Sequence, residues 1–256
     1  MLADELIAAH EAAREVAPFS DRYPGLTAAQ GYAAARALHE HRTAHGWRPV
    51  GRKIGFTNRT LWARYGVFEP MWGTVYDRTL IDAPQASARV ALDGLVNPRI
   101  EPEICFGLAH SPRVEDVAAA VAWIAHSIEI VQCHHPAWKV TIGDCTASNG
   151  LHGRLIVGPR QPFRREMARQ LPSVEALLYR AGSPVDRGTG ANVLGSPLLA
   201  LEHLVQMLDR QGGEPLREGE IISTGVMTDA HPVRVGEAWT TRIEGLPLPG
   251  LTIEFA

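Results

Sequence analysis

The sequence predicts an α+β fold with a mixed, mostly antiparallel sheet, an N-terminal helical segment and flanking helices. Apolar residues at helical spacing open the chain, and short β-rich runs separated by Gly, Pro, Asn and Asp fill most of the rest. Strands and helices do not alternate regularly, which disfavours a Rossmann fold or a TIM barrel. A chain of 256 residues can bury roughly three quarters of its unfolded surface, so it needs neither disulfides nor a structural metal to fold.

The N-terminal segment contains two predicted helices. Apolar side chains recur at helical spacing over residues 2–17. A second helix is predicted over residues 27–45, with Thr27 as its N-cap. We therefore expect residues 1–47 to form a helical segment that packs on a core domain of residues 48–256.

Most of the remaining chain is predicted to be strand. Two further helices are predicted, over residues 115–126 and 197–210. Residues 173–180 are expected to pair with residues 184–190 in a hairpin. The other predicted strands are the runs RPVGRKIGF, WGTVYDRTLI, ARVALDG, PRIEPEICFGL, SIEIVQC, RLIVG, EIISTG, EAWTTRIEG and LTIEFA.

Composition narrows the class of partner. With 25 Lys and Arg against 28 Asp and Glu, the net charge of −3 disfavours nucleic acid. No apolar stretch reaches the roughly 18 residues of a membrane span. Asp4 and Glu5 stand where a signal peptide would be positively charged, and none of the three cysteines lies in a Cys-x-x-Cys pair. We expect a cytoplasmic protein that does not bind membranes.

Glutamates on two predicted strands are the main chemical feature. In the run PRIEPEICF, Glu101 and Glu103 share one strand face, while Ile100 and Phe106 face the core. Glu129 lies in another apolar run, SIEIV, where its burial requires a partner. Three carboxylates with open positions for water or substrate suit Mg²⁺ or Mn²⁺. The alternative for a Glu-x-Glu pair is the solvated face of a strand.

Two further segments are candidates for substrate contact. Lys53, in the run GRKIGFT, would lie beside the metal, where its ammonium meets a substrate carboxylate or exchanges protons if burial lowers its pKa. The loop DCTASNGLHG, residues 144–153, has glycines and small polar groups that permit close backbone approach to a ligand. A solvated strand lysine and a plain surface loop are the alternatives.

Other motifs of metal sites and nucleophiles are missing from the sequence. His134 and His135 are adjacent, so on a strand they would face opposite sides and could not both bind one ion. The sequence contains no His-Glu-x-x-His, no Gly-x-Ser-x-Gly, no P-loop and no dinucleotide-binding glycine motif. These observations exclude zinc proteases and serine hydrolases.

A series of motifs resembles one enzyme family. The motifs are GRKIGFTN, Gly66-Val67, PMWGT, PRIEPEI, SIEIV, the loop of residues 144–149, LGSPL and GEIISTG. In order and spacing they are similar to the 2-keto-4-pentenoate hydratase and 4-oxalocrotonate decarboxylase group of the fumarylacetoacetate hydrolase superfamily. The match runs from about residue 10 to the C-terminus.

The resemblance implies a β-roll with helices around it, a bound Mg²⁺ or Mn²⁺ and a 2-keto or 2-hydroxydienoic acid as substrate. By motif position, the three metal ligands are Glu101, Glu103 and Glu129. Lys53 matches the lysine of a Lys-x-Gly strand, and Asp144 and Asn149 match the aspartate and asparagine of a loop. The predicted catalytic residues are Lys53, Asp144 and His152, and the predicted substrate-binding residues are Arg52, Ser148 and Asn149.

Several positions depart from the pattern of this family. Ser148 replaces an aspartate of the loop, and Gly150-Leu151-His152 replaces Ala-Ser-Ser. Met71 and Gln132 stand where aspartates are common. The polarity of the pocket and the groups that transfer protons are therefore expected to differ from those of better-known hydratases.

The predicted function is a hydratase that adds water to a 2-hydroxy-2,4-dienoate and forms a 4-hydroxy-2-keto acid in the catabolism of aromatic-type compounds. In this hypothesis the metal stabilises the enolate, the dienol ketonises and water then adds at C4. Lys53 would orient the carboxylate, and His152 or Asp144 would handle the water. A 4-oxalocrotonate-type decarboxylase, an acylpyruvate C–C hydrolase and a non-catalytic partner subunit are the alternatives. The resemblance also implies a homo-oligomer and allows a complex with a related decarboxylase or hydratase.

Overall fold

Two β-sheets form the body of the structure, a computed structural model that describes residues 2–256. The helices within these residues are α1 (Leu2–Glu11), α2 (Phe19–Arg22), α3 (Ala28–Ala44), α4 (Trp62–Tyr65), α5 (Ile142–Ala147) and α6 (Pro197–Arg210). The strands are β1 (Pro49–Gly55), β2 (Met71–Tyr76), β3 (Leu80–Asp82), β4 (Ser87–Val90), β5 (Arg99–Leu108), β6 (Val121–Val131), β7 (His152–Val157), β8 (Gln161–Pro162), β9 (Glu175–Arg180), β10 (Ser183–Thr189), β11 (Ile221–Ser223), β12 (His231–Pro232), β13 (Ala238–Glu244) and β14 (Thr252–Phe255).

The larger sheet has the order β2-β1-β11-β5-β6-β7-β3, with β12 beside β5 and β8 beside β6. The smaller sheet has the order β10-β9-β13-β14-β4. Most neighbouring strands are antiparallel, and the parallel pairs are β1 with β11, β3 with β7 and β4 with β14. The mixed, mostly antiparallel arrangement agrees with the prediction, as does the hairpin of β9 and β10.

The central strands β5 and β6 are buried on both faces, because helices and the smaller sheet cover them. One core packs α6 against Ile104, Phe106 and Ile124. A second core lies between the two sheets and includes Ile100 and Trp239. The side chains of Ile100 and Phe106 face these cores, as strand alternation predicts, and the opposite face of β5 is left for the glutamates.

The N-terminal helices pack on the loop that precedes β7. Helix α3 begins with a capping box in which the Thr27 side chain accepts from the Gln30 backbone and the Gln30 side chain accepts from Thr27. It crosses α5 so closely that a Cβ atom on Gly31 would lie 2.0 Å from Thr146 Oγ1. The chain's first helices therefore help to fix the position of the 142–151 segment.

Two of the predicted helices differ from the structure. The first ends at Glu11 rather than residue 17, because Ala13 takes a left-handed φ of 44° and the Val16 amide then donates to the His134 carbonyl. The prediction of a helix over residues 115–126 was wrong. Residues Val114–Ala120 form a 3-10 turn, and the following residues belong to β6, since pairing with β5 and β7 outweighs the helix propensity of an alanine-rich run.

None of the helices found in residues 2–256 is both long enough and apolar enough to cross a lipid bilayer.

Candidate active site

Three glutamates meet on one face of the central strands. Glu101 on β5 lies directly opposite Glu129 on β6, and Glu103 follows two residues along β5 on the same face. One carboxylate oxygen from each residue lies within 4.8 Å of the other two. The shared face that alternation predicts for Glu101 and Glu103 is thus present, and Glu129 joins it from the neighbouring strand.

The Glu103 carboxylate is held through one of its two oxygens. The Ser223 hydroxyl and the Gly225 amide donate to Glu103 Oε2, the latter at 3.0 Å. Gly225 has a φ of 102°, and a Cβ there would lie 1.8 Å from Thr57 Oγ1, so glycine allows this approach. The remaining oxygen, Glu103 Oε1, is buried and accepts no hydrogen bond from any described residue.

Glu129 is held from two directions. His152 Nδ1 lies 2.7 Å from Glu129 Oε1, and Lys53 Nζ lies 3.1 Å from Oε2. Apart from this ion pair, Oε2 has no hydrogen-bond donor within residues 2–256. Hard divalent cations prefer carboxylate oxygens as ligands. The converging carboxylates of Glu101, Glu103 and Glu129 therefore fit Mg²⁺ or Mn²⁺.

The three carboxyl groups differ in acidity. Burial, reinforced by the negative charge of Glu129, raises the pKa of Glu101 to about 8. Burial and the other two glutamates also raise the pKa of Glu103 well above its ordinary value. Burial acts against ionisation of Glu129 too, but Lys53 and His152 outweigh it and lower the pKa of Glu129. Glu129 is therefore the charged member of the trio in the absence of a cation.

Lys53 is a buried ammonium rather than a neutral amine. Burial on its own lowers the pKa of Lys53, yet Glu129, Glu101 and Glu103 together raise it above its ordinary value. Lys53 Nζ also donates to the Gly150 carbonyl at 2.8 Å. The condition under which Lys53 was expected to exchange protons, a lowered pKa, is not met.

The Gly150 carbonyl is placed by a tight left-handed turn. Asn149, Gly150 and Leu151 have φ values of 53°, 65° and 62°. This conformation costs of order 1 kcal/mol at each non-glycine residue, so the surroundings must enforce it. A Cβ on Gly73 of β2 would lie 2.2 Å from the Asn149 carbonyl oxygen, and this close packing holds the turn against the sheet.

A cavity opens next to the glutamates. Its lining residues are Lys53, Gly55, Phe56, Leu61, Tyr65, Met71, Glu101, Val131, Trp138, Gly150, Leu151, Val226 and Ala230. Lys53 and Glu101 are the charged members of this set, and most of the others are apolar or aromatic. The site therefore combines a polar end, where a metal and an acid group fit, with an apolar remainder that suits a short carbon chain.

Comparison with known proteins identifies the family. No family model matches the chain. A 2-keto-4-pentenoate hydratase from Paraburkholderia xenovorans (strain LB400) is 30% identical over 249 residues, which are 95% of this chain and 90% of that protein. The chain belongs to the 2-keto-4-pentenoate hydratase family.

Further relatives agree with this membership. The 2-hydroxyhexa-2,4-dienoate hydratase of Comamonas testosteroni is 31% identical over 247 residues, 94% of this chain and 92% of that one. The 4-oxalocrotonate decarboxylase from Pseudomonas putida G7, solved with magnesium and adipate, superposes with a TM-score of 0.90 at 27% identity, covering 100% of this chain and 96% of that one. The predicted fold and the predicted enzyme class, a hydro-lyase, are confirmed, and the magnesium of the decarboxylase agrees with the predicted type of cofactor.

Asp144 does not face the cavity, although it matches the loop aspartate of the hydratase family. Its carboxylate accepts from the Ser20 amide and hydroxyl and from the Thr141 amide and hydroxyl, at 2.7 to 3.0 Å. Burial acts against its ionisation, but these hydrogen bonds outweigh it and lower the pKa of Asp144. Asp144 thus takes part in the capping of α5, and its predicted catalytic role stays a prediction.

His152, also predicted to be catalytic, is likewise not among the residues that line the cavity. Both ring nitrogens are engaged, Nδ1 with Glu129 and Nε2 with Thr79 Oγ1 at 2.9 Å, and the ring is buried. Burial lowers the pKa of His152 against the opposing effect of Glu129, and Nδ1 donates to the Glu129 carboxylate. His152 therefore orients a carboxylate of the cluster and does not contact the cavity.

The three predicted substrate-binding side chains lie outside the cavity lining. Asn149 pairs with Thr74, accepting from its amide at 2.8 Å and donating to its carbonyl at 2.9 Å. Arg52 points to the face of β1 opposite Lys53, where it contacts Glu220 and the Glu214 carbonyl. Ser148 is buried with its hydroxyl unpaired. Of the turn that follows Ser148, Gly150 and Leu151 line the cavity.

The sequence analysis missed the residues that support and line the site. Ser223 and Gly225 lie in the quoted motif GEIISTG, but the sequence does not indicate that they would meet Glu103, about 120 residues earlier. Tyr65 and Trp138 also line the cavity. Tyr65 directly precedes the quoted Gly66-Val67 motif, and this position was the available signal for it.

Proposed function

We propose that this protein is a divalent-metal-dependent hydratase that adds water to a 2-hydroxy-2,4-dienoate in the catabolism of aromatic compounds. The observation that carries the proposal is the trio of converging carboxylates, of which Glu103 and Glu129 are buried and each has one oxygen without a hydrogen-bond donor among the described residues, beside a cavity that Lys53 also lines. Glu101, Glu103 and Glu129 would hold Mg²⁺ or Mn²⁺. A cation bound there supplies positive charge that stabilises a developing enolate.

Lys53 would bind the carboxylate of the substrate. It is cationic, almost fully buried and already oriented by Glu129 and the Gly150 carbonyl, so little side-chain entropy is lost when a substrate binds. An ammonium on the cavity wall next to Glu101 favours an acid group at this end of the substrate. The apolar lining of the remainder would exclude bulk water and accept the carbon chain.

Two hydrogen bonds would position the carboxylates for metal binding. His152 would hold Glu129 Oε1, and Ser223 would hold Glu103 Oε2, so that the opposite oxygen of each group is presented to the cation. Such partners of metal ligands typically account for 10- to 100-fold in metal affinity.

A 4-oxalocrotonate-type decarboxylase is the second candidate, favoured by the TM-score of 0.90 to a protein of that name. Its substrate carries a second carboxylate at the end remote from the keto acid. Among the described residues that line the cavity, those other than Lys53 and Glu101 are uncharged, which favours a substrate with an uncharged tail. The hydratase is therefore the preferred proposal.

The test is a substrate screen with 2-hydroxypenta-2,4-dienoate, 4-oxalocrotonate and an acylpyruvate, each with Mg²⁺ and with a chelator. The hydratase proposal expects loss of dienol absorbance without release of CO₂, and abolition of this loss by the chelator. Stoichiometric CO₂ from 4-oxalocrotonate would instead identify a decarboxylase, and pyruvate from the acylpyruvate a C–C hydrolase. Absence of turnover and of bound metal would identify a non-catalytic partner subunit.

The proposal includes a homo-oligomer of this chain. Sedimentation at micromolar concentration should give a mass that is a multiple of 27.9 kDa. A monomer of this mass would contradict that part of the proposal.

A further inference from the structure

The cavity offers few side chains that can transfer a proton. Among the lining residues, exchangeable protons are carried by the side chains of Lys53, Glu101, Tyr65 and Trp138. Met71 and the aliphatic and phenylalanine side chains carry none. Proton transfer within the cavity must use one of these four groups or a water molecule.

Three of the four are engaged elsewhere. Lys53 donates to Gly150 and faces Glu129, and Glu101 belongs to the carboxylate trio, so both lie at the metal end. The indole N–H of Trp138 donates to the Asn97 carbonyl at 3.1 Å. Tyr65 is left as the candidate for the part of the cavity remote from the metal ligands.

Tyr65 is held so that its own proton is free. Arg99 Nη1 donates to the Tyr65 phenol oxygen at 2.7 Å. The Tyr65 ring also packs edge-on against Phe56, with the centroids 5.8 Å apart. Because the oxygen is the acceptor in the contact with Arg99, the O–H bond is available to a ligand in the cavity.

Arg99 is a suitable support for a phenol that loses its proton. Its guanidinium lies 4.2 Å from the centroid of Trp138, and it forms no ion pair with a carboxylate in residues 2–256. A fixed positive charge next to the phenol oxygen stabilises negative charge that develops there. Arg99 and Glu101 lie on the same face of β5, separated by roughly 7 Å along the strand, which is the scale of a five-carbon chain.

We propose that Tyr65 is the proton-transfer residue for C5 and C4 of the dienoate, with Arg99 as its positioning residue. This inference rests on the proposed hydratase function. In the first step the C4=C5 electron pair takes the proton of Tyr65, the C2=C3 pair moves to C3=C4, and the enol O–H pair becomes the C2=O bond as its proton leaves to solvent. The product of this step is the 2-oxo-3-enoate, and Tyr65 is left as a phenolate.

The second step returns Tyr65 to its starting state. The phenolate takes a proton from a water molecule while the water oxygen forms a bond to C4, and the C3=C4 pair moves toward the C2 oxygen. The resulting enolate takes a proton at C3 from solvent, which replaces the enol proton lost in the first step. The two steps consume one dienol and one water and form one 4-hydroxy-2-keto acid, with no other reactant.

The experiment compares Tyr65→Phe with the wild-type protein in D₂O, using 2-hydroxypenta-2,4-dienoate and saturating Mg²⁺. We expect kcat to fall about 100-fold or more, the range of a general acid-base group, with KM and Mn²⁺ affinity within about twofold of wild type. Enzyme-dependent incorporation of deuterium at C5 should fall in parallel with kcat. Tyr23→Phe, at an exposed tyrosine outside the cavity, is the matched control and should leave all of these quantities unchanged.

A second variant tests the proposal even if Tyr65→Phe does not fold. Tyr65→3-fluorotyrosine keeps the phenol but makes it more acidic, so the basic limb of the kcat profile should move to lower pH. A purely structural role for Tyr65 would leave this limb in place. Arg99→Lys should retain more activity than Arg99→Met if Arg99 acts through its charge on Tyr65.

The outcomes separate this inference from the proposed function. Wild-type protein that fails to hydrate any dienoate would contradict the hydratase proposal itself. Wild-type hydration together with undiminished kcat and C5 deuteration in Tyr65→Phe, or with an unmoved pH profile in the fluorotyrosine variant, would overturn the role of Tyr65 while leaving the hydratase proposal intact.

Discussion

Two groups of buried titratable side chains in the molecule behave in opposite ways. The carboxylate cluster consists of Glu101, Glu103, Glu129 and Lys53, and the histidine cluster consists of His10, His134, His135 and Arg42. Both contain polar atoms without a hydrogen-bond partner among the described residues. Lys53 and Glu101 line the cavity, whereas no member of the histidine cluster is among its lining residues.

The electrostatics of the two clusters explain the difference. In the carboxylate cluster opposite charges meet, so the pKa of Lys53 is raised and that of Glu129 is lowered. In the histidine cluster every member is a base. Burial, followed by the charges of its neighbours, lowers the pKa of His134 to about 4 and that of His10 well below its usual range. Burial of titratable groups alone therefore does not mark a site, while retained charge beside a cavity does.

The largest expected effect comes from removing the charge of one carboxylate. Glu129→Gln should lose Mn²⁺ binding and reduce kcat/KM by about 100-fold or more, because an uncharged amide is a poor ligand for a hard cation. Glu218→Gln, at an exposed position, is the control and should behave as wild type. Steady-state kinetics and Mn²⁺ titration of the two variants measure these effects. Retained turnover in Glu129→Gln would contradict the assignment.

The next largest effect is on the free energy of unfolding of the protein, to which the carboxylate cluster contributes. Lys53→Met removes the cation that balances Glu129 and should lower the free energy of unfolding by about 3–5 kcal/mol in a chelator, as for other broken buried pairs. Added Mg²⁺ should restore part of this loss, because it supplies the missing positive charge. Urea unfolding with and without Mg²⁺ measures both the loss of stability and its partial recovery. Lys139→Met, at an exposed ion pair with Asp21, should change stability by less than about 1 kcal/mol.

A pH titration of stability tests the histidine cluster. The pKa of His134 is about 4 in the folded state and near 6.5 in the unfolded state, so its contribution is fully present above pH 6.5 and is lost as the pH falls toward 4. The loss is about 3 kcal/mol at most. His134→Gln should flatten this part of the curve of unfolding free energy against pH. An equally steep curve in the variant would show that His134 is not responsible.

The smallest effect distinguishes two buried histidines. His152→Ala should weaken Mn²⁺ binding about tenfold, because Glu129 Oε1 loses its hydrogen-bond donor. His134 does not contact the three glutamates, so His134→Ala should leave the Mn²⁺ affinity unchanged. Both substitutions remove a buried ring, which makes His134→Ala a matched control. Equal affinities in the two variants would remove the positioning role of His152.

The carboxylate trio could be predicted because strand alternation is local. Glu101 and Glu103 share a face whatever the rest of the fold does, and an isolated Glu129 between isoleucines requires a partner. The same alternation explains why Arg52 lies outside the cavity lining, since the neighbour of Lys53 on a strand points to the opposite face. The family motifs then supplied the β-roll and the type of cofactor.

The remaining features depend on contacts that sequence patterns do not contain. The run of residues 121–126 resembles a helix in composition, yet its pairing with β5 and β7 makes it a strand. Asp144 matches a loop position of the family, yet its oxygens accept hydrogen bonds from Ser20 and from Thr141, the N-cap of α5. Tyr65 became a candidate only when the lining of the cavity and the Arg99 contact were known.

The central claim is that Glu101, Glu103 and Glu129 together hold the cation on which hydration depends. Anomalous diffraction from crystals grown with Mn²⁺ tests it most directly. The account predicts a manganese peak within about 2.5 Å of one oxygen from each of the three carboxylates, a distance typical of oxygen ligands to hard divalent cations. A peak elsewhere in the molecule, or none between these three side chains at saturating Mn²⁺, would contradict it.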